Sequence, residues 1–215
     1  IDLPGHGYSE GPSLESIEQQ GKWIADVIDA VDMKEASLVG HSQGCLIAME
    51  CASQFPNKVK SLALMGGAGA IPMNPELLEL AEKGDPKAVD LMMDWAHGPA
   101  GHFGGHAVPG LHHINIGGTI VINGSVKDAL GVDFRACDNY KNGFEAAKKI
   151  KCPTINILGD KDRMCPVKEG KKLADSIKDS EIAIIENCGH MILLEEADKA
   201  LAILKKFIRN YHPSK

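Results

Sequence analysis

Residues 40–44 read Gly-His-Ser-Gln-Gly and constrain this chain more than any other segment. An apolar run at 36–39 precedes them and a longer apolar run at 45–52 follows, so the pattern predicts a strand, a very sharp turn and a helix. Because such a turn strains its central residue and brings the flanking backbone close, glycine is favoured on both sides of it. Ser42 is therefore a candidate nucleophile, and the backbone amide of Gln43, in the first turn of the helix, is placed to stabilise an oxyanion.

Two later segments supply a candidate acid and a candidate base. A predicted strand at 155–159 leads into a loop that carries Asp160 and Asp162, and a predicted strand at 182–186 leads to His190. Nucleophile, acid and base, each just beyond the carboxyl end of a strand, follow the chain order of one hydrolase architecture and not the orders of the other serine protease folds. Taken singly, these residues have ordinary alternatives: a turn serine, aspartates that cap the next helix, and a surface histidine. From the residues alone either aspartate can be the acid, because both lie within the same turn.

Three further motifs accompany the serine motif. Residues 2–9 fit D-x-P-G-x-G-x-S, residues 159–166 fit G-x-x-D-x-x-x-P and residues 189–195 fit G-H-x-x-x-x-E. Together the four motifs resemble the α/β-hydrolase superfamily, in particular a serine-nucleophile, cap-bearing, esterase-like member, and the resemblance covers nearly all of the chain. It implies that Asp162 is the acid of a catalytic triad and that His190 is the base.

The resemblance also carries an expectation about the amino-terminal side of the fold. It implies that three strands and most of a fourth precede Ile1, together with the loop that supplies the second oxyanion donor. We therefore expect an amino-terminally truncated member of the superfamily. In the superfamily's strand order, the strand at 36–39 would then lie at an edge of the sheet, next to the strand at 59–65.

Alternating strand and helix patterns indicate an α/β fold. By resemblance this is the α/β-hydrolase fold, a mostly parallel sheet with helices on both faces and an inserted cap, here with its first strands missing. Helices are predicted at 13–31, with Ser13 as the cap, and at 43–55, 167–177 and 192–211; strands are predicted at 36–41, 59–65, 155–159 and 182–186.

Residues 71–151 interrupt this alternation at the place where the superfamily inserts its cap. We expect a partial α/β-hydrolase core at 1–70 and 152–215 and a cap or lid at 71–151, with short helices at 74–80, 86–95 and 133–147. By analogy the cap shapes the substrate pocket. The candidates for pocket residues, each with ordinary core packing as the alternative, are His41, Met73, Leu77, Met92, Met93, Trp95 and Phe103.

Five histidines fall within the glycine-rich part of this insertion: His97, His102, His106, His112 and His113. The glycines between them exclude a regular helix that would present two imidazoles on one face, and no cysteine or carboxylate lies at a ligand-like interval. A cap loop with incidental histidines is therefore favoured over a metal site, and we predict no metal and no cofactor.

Composition narrows the partners and the compartment. The net charge of −6 and the scattered lysines and arginines argue against binding to nucleic acid or to an anionic membrane surface, and no window is long and apolar enough to span a membrane. Six cysteines without a C-x-x-C pair favour a reducing, cytoplasmic location.

These expectations combine into a serine hydrolase that cleaves a small-molecule carboxylic ester or thioester through an acyl-enzyme on Ser42. Carbon–carbon bond, amide or peracid chemistry on the same triad is the alternative, and so is a non-catalytic small-molecule receptor of the same fold. A serine at position 42 disfavours the aspartate-nucleophile dehalogenases and epoxide hydrolases.

Overall fold

A computed structural model describes residues 1–102, 126 and 128–211 of the 215-residue chain. The elements of the described residues, in chain order, are α1 (Ile17–Ala30), β1 (Ala36–His41), α2 (Gln43–Gln54), β2 (Val59–Met65), α3 (Pro75–Glu82), α4 (Lys87–Ala96), α5 (Pro99–His102), α6 (Ala129–Asn139), α7 (Gly143–Ala147), β3 (Thr154–Gly159), α8 (Val167–Ser176), β4 (Glu181–Ile185), α9 (Ile192–Glu195) and α10 (Ala197–Tyr211).

The four strands form one parallel sheet in the order β1-β2-β3-β4. In register, Val39 pairs with Ala63, Ala63 with Ile155 and Ile155 with Glu181. Within the described residues β1 lies at one edge of the sheet next to β2, as the strand order of the superfamily predicts. Because all four strands run in the same direction, the loops that follow them meet at a single edge.

Side chains of β2 alternate between two apolar layers. Leu62 and Leu64 pack into a cluster with α2 and α8, whereas Ala63 and Met65 pack into a second cluster that includes Phe207 of α10. These four side chains are almost fully buried, and full burial of a leucine or methionine side chain contributes roughly 1.5–3 kcal/mol. This period of two explains why the continuous apolar run of β2 needs helices on both faces of the sheet.

The chain between β2 and β3 builds a smaller cluster of its own. Helices α3, α4 and α6 contribute its buried side chains, which are Leu77, Ala81, Ala88 and Phe134. A hydrogen bond ties this part of the chain to the main core, since the buried Tyr140 hydroxyl donates to Glu50 Oε2 of α2 at 2.5 Å. The insertion leaves the sheet at the carboxyl end of β2 and rejoins it at the amino end of β3.

The predicted start of the first helix is wrong by three residues. The N-cap is Ser16, whose Oγ accepts a hydrogen bond from the Gln19 backbone N–H at 3.2 Å. Ser13 lies outside the helix, and its buried Oγ has no hydrogen-bond partner among the described residues. Both serines fit a capping pattern in sequence, and only the path of the preceding loop separates them.

Two predicted helices are each divided in the structure. The helix predicted at 133–147 is two helices, α6 and α7, because Tyr140 adopts an extended conformation with ψ 112° that directs the chain back toward the core. The helix predicted at 192–211 is α9 followed by α10, with Glu196 outside helical geometry at φ −137° and ψ 49°.

Candidate active site

Ser42 occupies the sharp turn between β1 and α2. Its φ of 55° and ψ of −121° lie in a region that residues with a side chain rarely adopt, and such strain costs on the order of 1–3 kcal/mol. Surrounding hydrogen bonds hold the turn: the Ser42 N–H donates to the Met65 carbonyl at 3.0 Å, and the Ser42 carbonyl accepts from the Cys45 N–H at 2.8 Å. The turn therefore has the strained geometry that the motif predicts for a nucleophile.

The two glycines of the motif differ in what the structure requires of them. A Cβ on Gly40 would overlap the carbonyl group of Gly44, so the close approach of strand and helix excludes any side chain at position 40. A Cβ on Gly44 would meet nothing within 4 Å. The expectation that glycine is needed on both sides of Ser42 is thus met by packing on one side only.

His190 and Asp162 meet in the loops that follow β4 and β3. His190 Nδ1 lies 2.8 Å from Asp162 Oδ2, and the two side chains are 3% and 0% exposed. The other carboxylate oxygen, Oδ1, accepts hydrogen bonds from the backbone N–H groups of Met164 and Cys165, each at 2.8 Å. Buried and fully hydrogen-bonded, Asp162 can set the tautomer of the imidazole so that its Nε2 is left to accept a proton.

Asp160, the other candidate for the acid, points elsewhere. Its Oδ1 accepts from the Cys188 N–H at 3.2 Å and its Oδ2 lies 3.1 Å from Lys161 Nζ. It therefore braces the loop that precedes His190, and among the described contacts it makes none with the imidazole.

Gly66, to which no role was assigned from sequence, lies against the His190–Asp162 pair. Its φ is +57°, and a Cβ there would stand 3.1 Å from His190 Nδ1 and 3.3 Å from Asp162 Oδ2. The position of Gly66 directly after the predicted strand at 59–65 was the one hint in the sequence. No residue near it in sequence indicated that His190 and Asp162 would pack against it.

Glu195 matches a motif position, and the structure adds what its side chain does. Oε2 accepts from the N–H groups of Gly98 at 2.8 Å and Gly189 at 3.0 Å, and Oε1 accepts from the Met191 N–H at 3.1 Å. Glu195 therefore closes the loop around His190 and ties it to the chain just after α4.

Gln43 begins α2, where the first N–H groups of a helix lack intrahelical partners. The Gln43 side chain is held away from the Gln43 backbone N–H, since its Nε2 donates to Gln20 Oε1 at 3.1 Å.

The buried Gln20 in turn connects to two residues outside the triad. It donates to Asp133 Oδ1 at 3.3 Å, and His6 Nε2 lies 3.0 Å from Asp133 Oδ2. The hydrogen bond to Asp133 raises the pKa of His6 above its usual value of 6.5.

Ser42 and His190 lie on the wall of one cavity of about 1200 Å³. The Nε2 atom of His190 is buried and has no hydrogen-bond partner among the described residues. Most of the wall is apolar, and its larger apolar side chains from the β2–β3 insertion are Ile71, Met73, Val89, Met92, Met93, Leu130 and Phe134. The arrangement supplies a hydroxyl, an imidazole and an apolar chamber in one place.

The predicted pocket residues separate into three groups. His41 and Met73 lie on the wall of the large cavity, as do Met92 and Met93. Trp95 and Leu77 instead line a smaller cavity of about 320 Å³, which shares Met73 with the large one, so their contact with a substrate stays a prediction. Trp95 packs against the α3–α4–α6 cluster. Phe103 lies outside the described residues.

Two of the five histidines singled out in the insertion, His97 and His102, lie within the described residues. His97 is buried, with Nδ1 2.8 Å from the Met93 carbonyl, and His102 Nδ1 lies 3.6 Å from Asp94 Oδ1. His106, His112 and His113 lie outside the described residues. Over 1–102, 126 and 128–211, no group of three or more histidine, cysteine, aspartate or glutamate side chains could hold a metal ion.

The six cysteines, Cys45, Cys51, Cys137, Cys152, Cys165 and Cys188, are all free thiols. Cys45 lies closest in sequence to Ser42, and burial raises its pKa to about 12, so it is protonated at neutral pH and is no rival nucleophile. No helix in the described part of the chain is long and apolar enough to cross a membrane.

Known proteins resemble nearly the whole of this chain, and a family model matches its first part. A family model described as alpha/beta hydrolase fold matches residues 1–100. Monoacylglycerol lipase ABHD6 of Bos taurus is 27% identical over 99% of this chain and 67% of its own length, and 2-hydroxymuconate semialdehyde hydrolase of Pseudomonas sp. strain CF600 is 25% identical over 96% and 74%. The solved structure of a thermophilic esterase superposes with a TM-score of 0.82 at 27% identity, covering 98% of this chain and 80% of that one.

These comparisons agree with the observed architecture. The parallel sheet, the strained serine turn and the order of the motif residues are those of the fold that the family model describes. Together with the likeness to a lipase, a hydrolase and an esterase, they support membership of the α/β-hydrolase superfamily.

Proposed function

We propose that this chain hydrolyses a carboxylic ester or thioester by transferring the acyl group to Ser42. One observation carries the proposal: His190 is bound to Asp162 through Nδ1, and its Nε2, which has no partner in the described part of the chain, belongs to a ring that shares a cavity wall with Ser42. Ester hydrolysis in general is further supported by the lipase and the esterase among the similar proteins.

The proposed reaction has two halves. Ser42 Oγ attacks the carbonyl carbon while His190 Nε2 takes its proton, and Asp162 stabilises the imidazolium that forms. The backbone N–H of Gln43 and the positive end of the α2 dipole stabilise the oxyanion. His190 then returns the proton to the leaving alcohol or thiol. In the second half, water attacks the acyl-enzyme by the same route and releases the carboxylic acid.

Residues 71–151 act in this proposal as the cap over the site. The end of α4 contacts both loops that hold the acid and the base: the Ala96 carbonyl accepts from the His190 N–H at 2.8 Å, and Arg163 donates to the Asp94 carbonyl at 2.8 Å. A cap docked on these loops both excludes water and fixes the imidazole.

The cavity favours an apolar substrate portion of some size. Ligand sites commonly have volumes of about 300–1000 Å³, so the cavity beside Ser42, at about 1200 Å³, is large. Because methionine side chains adapt their shape to a bound apolar group, Met73, Met92 and Met93 suit an extended acyl chain better than an acetyl group.

The test is active-site labelling combined with an ester panel. A fluorophosphonate probe should label the unmodified chain, Ser42→Ala should remove the label, and Ser176→Ala should keep it, because Ser176 is a half-buried serine on α8 that lies outside the cavity wall. Long-chain aryl esters should turn over faster than the acetate.

Labelling that persists in Ser42→Ala would refute the nucleophile. A tight ligand with no turnover of any ester, thioester or amide would instead indicate the non-catalytic receptor.

A further inference from the structure

His41, the last residue of β1, makes a contact that its assignment to the pocket wall does not explain. Its Nε2 lies 2.7 Å from the carbonyl oxygen of His190. Because a carbonyl oxygen only accepts hydrogen bonds, His41 is the donor, so its proton is on Nε2 and Nδ1 is the unprotonated nitrogen. The rings of His41 and His190 also touch, with centroids 4.9 Å apart and planes inclined by 43°.

This hydrogen bond connects two parts of the site that the sheet holds far apart. β1 and β4 are the two edge strands of the four-stranded sheet, and three strand spacings, or about 14 Å, separate them. His41 directly precedes Ser42, and it reaches the loop after β4 in a single step. The carbonyl of His190 also accepts from the Ile192 N–H at 2.9 Å, which is a contact within that loop, whereas the His41 contact comes from across the sheet.

We propose that His41 is a positioning residue, whose hydrogen bond to the His190 carbonyl sets the separation between the Ser42 hydroxyl and the His190 imidazole. The inference rests on the proposed function of Ser42 and His190. With the Ala96 carbonyl holding the N–H of His190 and Asp162 holding its ring, His41 completes the set of restraints on the base. An error of about 1 Å in such a geometry can slow a reaction by about 100-fold.

The charge state of His41 suits this role. Burial, and the nearby His190, lower the pKa of His41 to about 4, so its ring is neutral at neutral pH. A neutral neighbour places no second positive charge beside the imidazolium that forms during turnover.

The test compares His41→Phe, which keeps a ring but loses the donor, with His41→Gln, whose amide can place an N–H near the position of Nε2. We expect His41→Phe to lower kcat and the rate of fluorophosphonate labelling by about 10-fold to 100-fold with KM nearly unchanged. His41→Gln should recover most of the loss. A purely structural role would lower the two variants alike, and a substrate-contact role would raise KM, so either result would overturn the proposal.

A second measurement does not depend on activity. Nitrogen-15 NMR of the unmodified chain should show the His41 ring protonated at Nε2 and unprotonated at Nδ1 throughout neutral pH, and the opposite tautomer would overturn the contact. An unmodified chain that fluorophosphonate does not label would refute the proposed function, while the tautomer still decides whether His41 donates to His190.

Discussion

Acidification should destabilise this fold through His41 in a way that one substitution isolates. The folded state holds the pKa of His41 at about 4, against 6.5 for a free histidine, so between these values the unfolded chain binds the proton and the folded chain does not. Stability is therefore fully present above pH 6.5 and falls as the pH drops toward the folded value. Integrated from about pH 8 to about pH 5, the shift amounts to about 2 kcal/mol.

Urea unfolding at the two pH values measures this loss directly. Other titrating groups also change stability with pH, so the unmodified chain is compared with His41→Gln, which cannot titrate. The unmodified chain should lose about 2 kcal/mol more than the variant between pH 8 and pH 5. Equal losses would show that His41 titrates normally in the folded state, and they would refute the argument that burial beside His190 keeps its ring neutral.

Three further outcomes are expected. Asp162→Asn should lower ester turnover by about 10⁴-fold, as the loss of the acid that orients a catalytic histidine does, whereas Asp160→Asn, which removes only a brace of the loop, should leave turnover close to that of the unmodified chain. In urea unfolding, Gly40→Ala should cost about 1–3 kcal/mol through overlap with the helix, while Gly44→Ala should stabilise α2 by up to about 1 kcal/mol. Tyr140→Phe should cost about 1–3 kcal/mol by removing the donor to Oε2 of the buried Glu50 carboxylate, whose Oε1 still accepts from Gln54.

The controls for these outcomes are available in the same chain. Tyr211→Phe removes an exposed hydroxyl that lies 3.4 Å from Glu181 and should change stability by less than about 0.5 kcal/mol. A loss in Tyr211→Phe equal to that in Tyr140→Phe would contradict the buried-carboxylate explanation. Likewise, equal losses in Gly40→Ala and Gly44→Ala would contradict the packing at the turn, and a larger effect of Asp160→Asn on turnover would reverse the choice of acid.

Much of the fold followed from local pattern. The four strands lie within a residue or two of their predicted positions, since apolar periodicity and turn residues are properties of neighbouring positions. Predictions that needed distant contacts did less well. The helix predicted at 133–147 is broken at Tyr140, whose hydroxyl bonds to Glu50, 90 positions away.

The candidate site divides in the same way. The motifs place Ser42, Asp162 and His190 at the ends of three parallel strands, and this order is readable without coordinates because parallel strands present their carboxyl ends at one edge. Their catalytic roles stay a prediction.

Only the tertiary structure decided which groups touch there. It brings Asp162 rather than Asp160 against His190, Gly66 against both partners, and His41 against a carbonyl 149 positions further along the chain. The physical reason is that a side chain's rotamer and partners are set by packing among elements remote in sequence, while its position on a strand or loop is set by its immediate neighbours.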